Sequence, residues 1–230
     1  MELRRETPSC AKCGSTVRDR AMVHLLTSEL LGSSVALPDM PPRRDLSGIG
    51  LSDAITYALP LAKKFTYVNT RFHSPPQLDI ANVPAEYAAR YDFIIASDVF
   101  EHVAPPVARA FSNARRMLKP EGVMIFSVPF TNDAGTVEHF PDLHDFLLIE
   151  SAEGWRLENR TDDGRTEAFT DLVFHGGIGA TLEMRLFSRA GLEREFEAAG
   201  FSRVRVADEA CLAHGIFWPE PWSLPMVAHA

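Results

Sequence analysis

The chain has 230 residues, of which 46% are hydrophobic, and its 23 basic and 31 acidic side chains give a net charge of -8. A chain of this size and composition buries a full core and is expected to form one domain, residues 1–230. Nucleic-acid binding relies on a positive surface, so the acidic balance disfavours a DNA or RNA partner. The lack of a long apolar segment disfavours membrane contact and a secretory signal, and a cytoplasmic protein is expected.

The N-terminal region, residues 1–37, is predicted to contain a cysteine turn followed by an amphipathic helix that ends at Gly32. Cys10 and Cys13 have the C-x-x-C spacing of one zinc knuckle, in which two thiolates converge on a tetrahedral metal. The other ligands would come from a distant cysteine or histidine, or from the second subunit of a homodimer. Two reduced cysteines in a turn explain the spacing equally well, so no metal is assigned.

The partners considered for such a zinc site are three side chains elsewhere in the chain: His24, Cys211 and His214.

A segment with two glycines and a serine follows, at Gly48, Gly50 and Ser52. Glycines let the backbone approach a bound nucleoside closely and turn tightly into a helix, which Ser52 or the next residue, Asp53, can cap. The next apolar run ends at Asn69, whose amide can accept and donate hydrogen bonds. These residues are the first candidates for a ligand site.

A short third strand is predicted over 77–80, with Asp79 and Ile80 at its end. Asp79 either contacts a ligand or is a turn or helix-cap residue, and the sequence leaves both alternatives open.

The most regular block of the chain lies between residues 91 and 130. Residues 93–96 form an apolar run too short for a helix, which is typical of a strand buried on both faces of a parallel sheet. A helical pattern over 107–118 and a second apolar run over 123–128 complete one right-handed strand-helix-strand unit. Because ligands of such sheets bind beyond the carboxyl ends of the strands, Ser97 and Asp98 face the predicted site.

This block resembles the core of the class I S-adenosylmethionine (SAM) dependent methyltransferases, in their small-molecule branch. That family often has a strand, an acidic turn ending in Glu-His, a helix, and a Leu-Lys-Pro-Gly-Gly turn into the next strand. The matching residues are Asp98, Glu101, His102, Leu118, Lys119, Pro120 and Gly122, with Glu121 in place of the first glycine.

The resemblance implies a Rossmann-like, doubly wound α/β sheet that is mostly parallel, with a C-terminal antiparallel strand. It also implies SAM as cofactor, with Asp79 at the adenine and Asn69 at the ribose, where most relatives have an acid. Ser52 stands where the family has its third glycine. The full set of implied SAM contacts is Gly48, Gly50, Ser52, Asn69, Asp79, Ile80, Ser97 and Asp98.

The polar segment 130–145 follows a central strand, where the family places substrate contacts. His139 and His102 are the candidates for the base that some methyl acceptors require, since histidine titrates near neutral pH. For each histidine the alternative is a structural role. A metal in this segment is not favoured, because its histidines and aspartates do not follow a familiar ligand spacing.

The C-terminal part is predicted to contain a β-hairpin insertion after the fifth strand, over 146–175, and a last helix that Ser188 caps and Gly200 ends. An antiparallel pair at 204–206 and 216–218 should close the sheet, followed by an irregular tail.

The sequence therefore predicts a SAM-dependent methyltransferase that modifies an O or N atom of a small molecule, for example a sugar or a secondary metabolite. The alternative is a catalytically degenerate SAM-binding protein, motivated by Asn69 and the incomplete glycine segment. A nicotinamide-dependent oxidoreductase is disfavoured by the same two features.

Overall fold

The computed structural model describes residues 4–230, so the first three residues of the predicted domain lie outside it. The helices are α1 (Val17–Leu31), α2 (Ile55–Lys64), α3 (Ala108–Met117) and α4 (Arg189–Ala198). The strands are β1 (Arg43–Leu51), β2 (Phe65–Thr70), β3 (Tyr91–Ser97), β4 (Leu118–Ser127), β5 (Phe130–Thr131), β6 (Val137–Glu138), β7 (Asp145–Ser151), β8 (Gly154–Arg160), β9 (Thr166–Phe169), β10 (Phe174–His175), β11 (Thr181–Leu182), β12 (Arg185–Ser188), β13 (Arg203–Val206) and β14 (Met226–His229).

The central sheet has six strands in the order β13-β14-β4-β3-β1-β2. Strands β4, β3, β1 and β2 run parallel, whereas β14 is antiparallel to β4 and β13 is antiparallel to β14. The predicted α/β architecture, mostly parallel with an antiparallel C-terminal end, is confirmed.

The two faces of the sheet bury separate sets of apolar side chains. On strand β3, Ile94 packs in the cluster that contains α3 and α4 residues, and Ile95 packs in the cluster that contains α1 and α2 residues. Both side chains are fully buried. The short apolar run is therefore a strand covered by helices on both faces, as its composition predicts.

The closing antiparallel pair differs from the prediction. Strand β13 pairs with β14 at the very end of the chain, and not with residues 216–218, where Ile216 forms only an isolated bridge to Cys211. Met226 and Val227 are fully buried between β13 and β4. The tail that was expected to be irregular is an inner strand of the sheet, because burying its short apolar run outweighs the local signal of its prolines.

Two other segments were predicted only in part. Residues 77–80 are not a strand; the chain there enters a 3-10 helix, Ile80–Asn82, with Asp79 at its N-cap. The insertion is a three-stranded antiparallel sheet, β7-β8-β9, and not a simple hairpin.

None of the described helices has the length and apolar character that a bilayer crossing requires.

Helix ends follow their local sequence signals. Thr16 and Asp19 form a reciprocal capping box at the start of α1, and Gly32 ends that helix with φ 70°. Ser188 Oγ accepts from the N–H of Gly191 to cap α4, as predicted.

Candidate functional site

The parallel strands β1, β2, β3 and β4 end at one edge of the sheet, and the backbone directly beyond two of them is strained. Ser52 follows β1 with φ 58°, and Asp98 follows β3 with φ 55°. Non-glycine residues seldom adopt positive φ, and such strain concentrates at functional sites. The N–H of Ser52 donates to the carbonyl of Thr70 over 2.9 Å, and that of Asp98 donates to the carbonyl of Ser127 over 2.7 Å. The strained residues are thereby anchored to the neighbouring strands.

The two glycines of the first candidate segment lie inside strand β1 and not in a loop after it. A Cβ at Gly48 would overlap the ring of Phe93, and a Cβ at Gly50 would overlap the hydroxyl of Tyr67 and the carboxylate of Asp53. Both positions therefore require glycine for packing within the protein. The expected glycine-rich turn starts one residue after the strand, at Ser52, because the strand continues to Leu51.

The turn after β1 is fixed by a buried carboxylate. Asp53 is 2% exposed, and it accepts hydrogen bonds from the hydroxyls of Tyr57 (2.9 Å) and Tyr67 (2.5 Å). Burial raises the pKa of Asp53 to about 7, although both hydrogen bonds oppose this shift.

Asn69 holds the backbone of the same turn. Its side-chain oxygen accepts from the N–H of Asp53, and its amide nitrogen donates to the carbonyl of Asp53, both over 2.9 Å. The amide still has one donor and one acceptor site to offer, so its predicted contact with a ribose stays a prediction.

Asp79 has the capping role that the sequence left open. Its carboxylate accepts from the backbone N–H of Ala81 over 2.9 Å and from the side chain of Asn82 over 2.6 Å. Ile80 beside it is buried in the core. The half-buried carboxylate of Asp79 lies next to this core, and the predicted adenine contact stays a prediction.

Two arginines from the N-terminal segment reach Ser97 and Asp98. Arg5 donates to both carboxylate oxygens of Asp98 over 2.8 and 3.1 Å. Arg18 donates to Ser97 Oγ over 2.6 Å and lies 3.4 Å from the carboxylate of Asp98. Burial alone would raise the pKa of Asp98, but the two guanidinium groups hold it below its usual value. Neither arginine is predicted from the sequence, because nothing in its spacing connects it to a residue 93 positions further on for Arg5 or 79 for Arg18.

The two candidate base histidines belong to one cluster of histidines and carboxylates. His139 Nε2 lies 2.8 Å from one oxygen of Glu183, and the other oxygen lies 2.8 Å from His175 Nε2. On the far side, His175 Nδ1 and His102 Nε2 lie 3.6 and 3.7 Å from the same oxygen of Glu101. Glu101 is fully buried, and burial raises its pKa to about 7. The structure thus joins His139 and His102 through Glu183, His175 and Glu101. Of these, only Glu101 is part of the family pattern in the sequence, and none of the three is among the predicted site residues.

The backbone places this cluster beside the carboxyl edge of the sheet. Glu101 belongs to a 3-10 helix that starts two residues after Asp98. The carbonyl of Glu101 accepts from the N–H of Met184, whose own carbonyl accepts from the N–H of His139. One stretch after β11 therefore carries Glu183 into the cluster and holds the other two segments in place.

A buried arginine in β12 holds the turn after β3 and the loop of His139 together. Arg185 is fully buried and donates to the carbonyls of Phe100 (2.9 Å) and Val103 (2.6 Å). It also donates to the carboxylate of Glu138 over 2.6 Å. The turn after β3 and the loop of His139 are thereby tied to β12.

The three cysteines are free, and the ligands considered for a zinc knuckle do not form one group with Cys10 and Cys13 among the described residues. His24, Cys211 and His214 can bring one ligand atom each within 4.8 Å of one another. Among residues 4–230, neither Cys10 nor Cys13 belongs to a group of three such ligands. Backbone hydrogen bonds from Cys13 and Lys12 lower the pKa of Cys10 to about 7. The described part of the chain brings no third ligand to Cys10 and Cys13, so the zinc knuckle stays one of two open alternatives and no metal is assigned.

A family model described as a methyltransferase domain matches residues 41–206. No curated protein matches the sequence. Two solved structures share the fold: the CurJ carbon methyltransferase (TM-score 0.53, 16% identity, 94% of this chain and 55% of that chain) and the PH0226 protein of Pyrococcus horikoshii (TM-score 0.51, 12% identity, 92% and 89%).

A third similar structure is the 1,6-didemethyltoxoflavin-N1-methyltransferase of Burkholderia thailandensis with bound 1,6-didemethyltoxoflavin and S-adenosylhomocysteine. Its TM-score is 0.49 and its identity 14%, over 92% of this chain and 79% of that chain.

Proposed function

The chain belongs to the methyltransferase-domain family and uses SAM, and from this premise we propose that it methylates an O or N atom of a small molecule beside the histidine-carboxylate cluster. The cluster is defined by Glu101, His102, His139, His175 and Glu183. A sugar or a secondary metabolite is the proposed acceptor class. A small-molecule acceptor agrees with the net charge of -8, because an acidic protein is disfavoured as a binder of nucleic acid.

The groups at the carboxyl edge fit the charges of SAM. Its methionyl part carries one carboxylate and one ammonium group, and this edge offers two guanidinium groups, Arg5 and Arg18, beside the carboxylate of Asp98. Arginine suits a carboxylate because its planar donors match the two oxygens. Asp98 does not depend on Arg18, because Arg5 alone gives that carboxylate two hydrogen bonds. Arg18 also donates to the carboxylate of Glu6 over 2.7 to 3.1 Å, so the carboxylate of the ligand would take the place of the half-exposed Glu6.

Bound SAM supplies a methyl group activated by a positively charged sulfur. The protein has to align the acceptor with that methyl group, exclude water, and remove a proton where the acceptor carries one. The positioning groups at the cofactor side are Ser97 and Asp98, and those at the acceptor side are in the cluster.

The observation that carries the proposal is the pair of His139 and Glu183. Because Glu183 accepts from Nε2, the neutral imidazole has its lone pair on Nδ1, which can take a proton from the acceptor. The carboxylate then stabilises the imidazolium that forms, as in other histidine bases oriented by an acid. The side chain of His139 is 26% exposed, so an acceptor can reach it.

Calorimetric titration with SAM, S-adenosylhomocysteine and NADH tests the cofactor, and turnover on a panel of sugars, phenols and amines tests the acceptor class. Saturable binding of S-adenosylhomocysteine without NADH binding, together with methylation of one panel member, supports the proposal. Turnover only on a nucleic acid or a protein would contradict the acceptor class.

A second candidate function is SAM binding without turnover. It is favoured by Asn69, whose amide is already bonded twice to the turn after β1. Tight S-adenosylhomocysteine binding with no turnover on any acceptor would support it.

A homodimer and a cytoplasmic location are the remaining proposals. Analytical sedimentation would test the first, and fractionation of cells the second.

A further inference from the structure

Three potential metal ligands converge next to the cofactor edge. Glu101, His102 and His175 can place one carboxylate oxygen and two ring nitrogens within 4.8 Å of one another. Glu101 is fully buried, and neither of its carboxylate oxygens has a hydrogen-bond partner among the described residues. A buried carboxylate without a partner is costly, so something that the protein itself does not provide is expected to stabilise it.

The tautomers of the two histidines explain why Glu101 has no donor. His102 Nδ1 lies 2.8 Å from the carbonyl oxygen of Leu182, which can only accept, so Nδ1 carries the proton. His175 Nε2 lies 2.8 Å from the carboxylate of Glu183, so Nε2 carries the proton in that ring. In each neutral imidazole the other nitrogen, the one nearer to Glu101, has a lone pair.

When both rings are neutral, three groups with lone pairs lie within 4.8 Å of one another, which favours a cation between them. The carboxylates of Glu101 and Glu183 raise the pKa of His175, so a metal ion competes there with a proton on Nδ1. The distances from the Glu101 oxygen, 3.7 Å to His102 Nε2 and 3.6 Å to His175 Nδ1, are too long for hydrogen bonds. Two ligand atoms that each lie about 2.1 Å from a tetrahedral ion are about 3.4 Å apart. The spacing is thus close to that of a shared metal.

The groups behind the two histidines have the arrangement of an outer coordination shell. Metal-binding histidines usually donate their second ring N–H to a carbonyl or a carboxylate, which fixes the ring and raises its basicity. The carbonyl of Leu182 does this for His102, and the carboxylate of Glu183 does it for His175. Both supports come from adjacent residues, so one short stretch orients both rings.

We propose that Glu101, His102 and His175 bind a divalent transition-metal cation of the zinc class. Two imidazoles and one carboxylate are ligands that zinc accepts, and three protein ligands leave one coordination position open. The exposed fraction is 31% for the His175 side chain, 14% for His102 and zero for Glu101, so His175 is the ligand that solvent reaches most easily.

The open position gives the site a role in the proposed reaction. It would hold the oxygen or nitrogen atom of the acceptor and lower the pKa of a bound hydroxyl group. This second part rests on the proposed function, whereas metal binding itself does not.

The experiment measures metal binding directly on the full chain. Protein stripped with a chelator is titrated with Zn²⁺ against a chromophoric competitor, and with Co²⁺ while its visible absorption is recorded. We expect one equivalent per chain and the intense visible bands of four-coordinate Co²⁺. His175→Ala and Glu101→Gln should each weaken Zn²⁺ binding by about 100-fold or more, and His144→Ala, a surface histidine of the loop before β7, should not change it.

Circular dichroism and thermal unfolding of each variant show whether it is folded, and the half-exposed His175 provides the variant whose folding is least at risk. The proposal is overturned if Zn²⁺ does not bind saturably, or if His175→Ala and Glu101→Gln leave the binding unchanged. A proton, and not a metal ion, would then neutralise the carboxylate of Glu101. An equal loss in His144→Ala overturns it as well. Titration with S-adenosylhomocysteine and a methyl-transfer assay on the same samples separate the two ideas. Methyl transfer by the metal-free protein would remove only the acceptor role of the metal, and binding of S-adenosylhomocysteine without any binding of Zn²⁺ would remove only the metal site.

Discussion

The imidazole of His139 is held through Nε2 by Glu183, which leaves Nδ1 for the acceptor. If His139 is the base, His139→Gln should lower the turnover number by about 10² to 10⁴ fold, the usual contribution of a general base. The dissociation constant of S-adenosylhomocysteine should stay within about twofold, because the side chain is predicted to lie on the acceptor side. Steady-state kinetics and calorimetry on the same preparation measure both.

The matched control is His144→Gln, since His144 is a more exposed histidine five residues along the same loop. Unchanged turnover in His139→Gln would remove the base assignment. A large loss of cofactor affinity would instead put His139 at the SAM side.

Asp53 makes the stability of the protein depend on pH. Its folded-state pKa is raised to about 7 by burial, whereas an aspartate in the unfolded chain titrates near about 3.9. The folded state thus binds the proton more tightly, and the stabilisation is complete below about pH 4. It is lost as the pH rises from about 4 to about 7, by up to about 1.4 kcal/mol per pH unit.

Asp53→Asn should flatten this part of the profile. Urea unfolding between pH 4.5 and pH 7.5, values chosen to span the range of roughly 4 to 7 given by the two pKa values, measures the free energy of unfolding of both proteins. Asp163→Asn is the control, because hydrogen bonds from Thr161 and Arg165 lower the pKa of that exposed carboxylate to about 2, below the range tested. Equal slopes for wild type and Asp53→Asn would mean that Asp53 is ionised in the folded protein.

At the scale of a single element, strand β1 gives the glycines a packing role in addition to their predicted ligand contact. Gly48 lies opposite the ring of Phe93 with no room for a Cβ. Gly48→Ala should therefore destabilise the protein by about 1 to 3 kcal/mol, the usual cost of overpacking a core. Any loss of SAM affinity should follow from this change in the sheet.

Denaturant unfolding of Gly48→Ala is compared with that of Gly135→Ala, where an added Cβ has no neighbour within 4 Å. The control should change the free energy of unfolding by less than about 1 kcal/mol. If Gly48→Ala were as stable as wild type but did not bind S-adenosylhomocysteine, Gly48 would be a ligand contact and not a packing position.

The elements that the sequence predicts best are those with local signals. Strand β3, helix α3 and the apolar part of β4 follow from an apolar run, a helical repeat and a second apolar run, and each signal lies within about ten residues. The Lys-Pro-Glu-Gly segment, residues 119–122, ends the helix as predicted, but it already belongs to strand β4 and is not a turn. Strand β14 has no such signal, because its four residues follow a segment with three separated prolines, at 219, 221 and 225, and become a strand only through pairing with β4 and β13. Tertiary pairing decides that segment.

The candidate site also combines residues that a short sequence pattern identifies with residues that only the fold brings together. Asp98 and His102 could be selected because they follow a strand in a known order of residues. Glu183, His175 and Arg18 could not be selected, since each is far from Asp98 in the sequence. Only the fold brings them to the carboxyl edge of the sheet. A pair such as His175 and Glu183 has no diagnostic spacing, and only its geometry identifies it.

At the scale of the whole molecule, one edge of the sheet joins both ends of the chain. Arg5 donates to the carboxylate of Asp98 and also, over 3.0 Å, to the carbonyl of Ser223 near the C-terminus. Arg18 contacts Ser97 and Asp98 from the start of α1, and the carboxylates of Asp98 and Glu6 raise its pKa despite burial. A ligand that binds here contacts the middle of the chain and both terminal segments, and so its binding should stabilise the whole fold.

Arg18→Met tests this coupling without leaving Asp98 unpaired, because Arg5 keeps both hydrogen bonds to that carboxylate. If Arg18 binds the methionyl carboxylate, the variant should bind S-adenosylhomocysteine about 10 to 100 fold more weakly, since a hydrogen bond to a charged group contributes about 1.5 to 3 kcal/mol. At a ligand concentration about 100 times the wild-type dissociation constant, binding stabilises the wild type by about 2.7 kcal/mol; a 100-fold weaker variant gains only about 0.4 kcal/mol. Isothermal titration and scanning calorimetry measure the two effects independently, with Arg205→Met, a surface ion-pair variant at Glu29, as control. Wild-type affinity in Arg18→Met would remove the arginine from the SAM site, whereas weak binding with a matching loss of ligand-induced stability would place the methionyl group between Arg18 and Asp98.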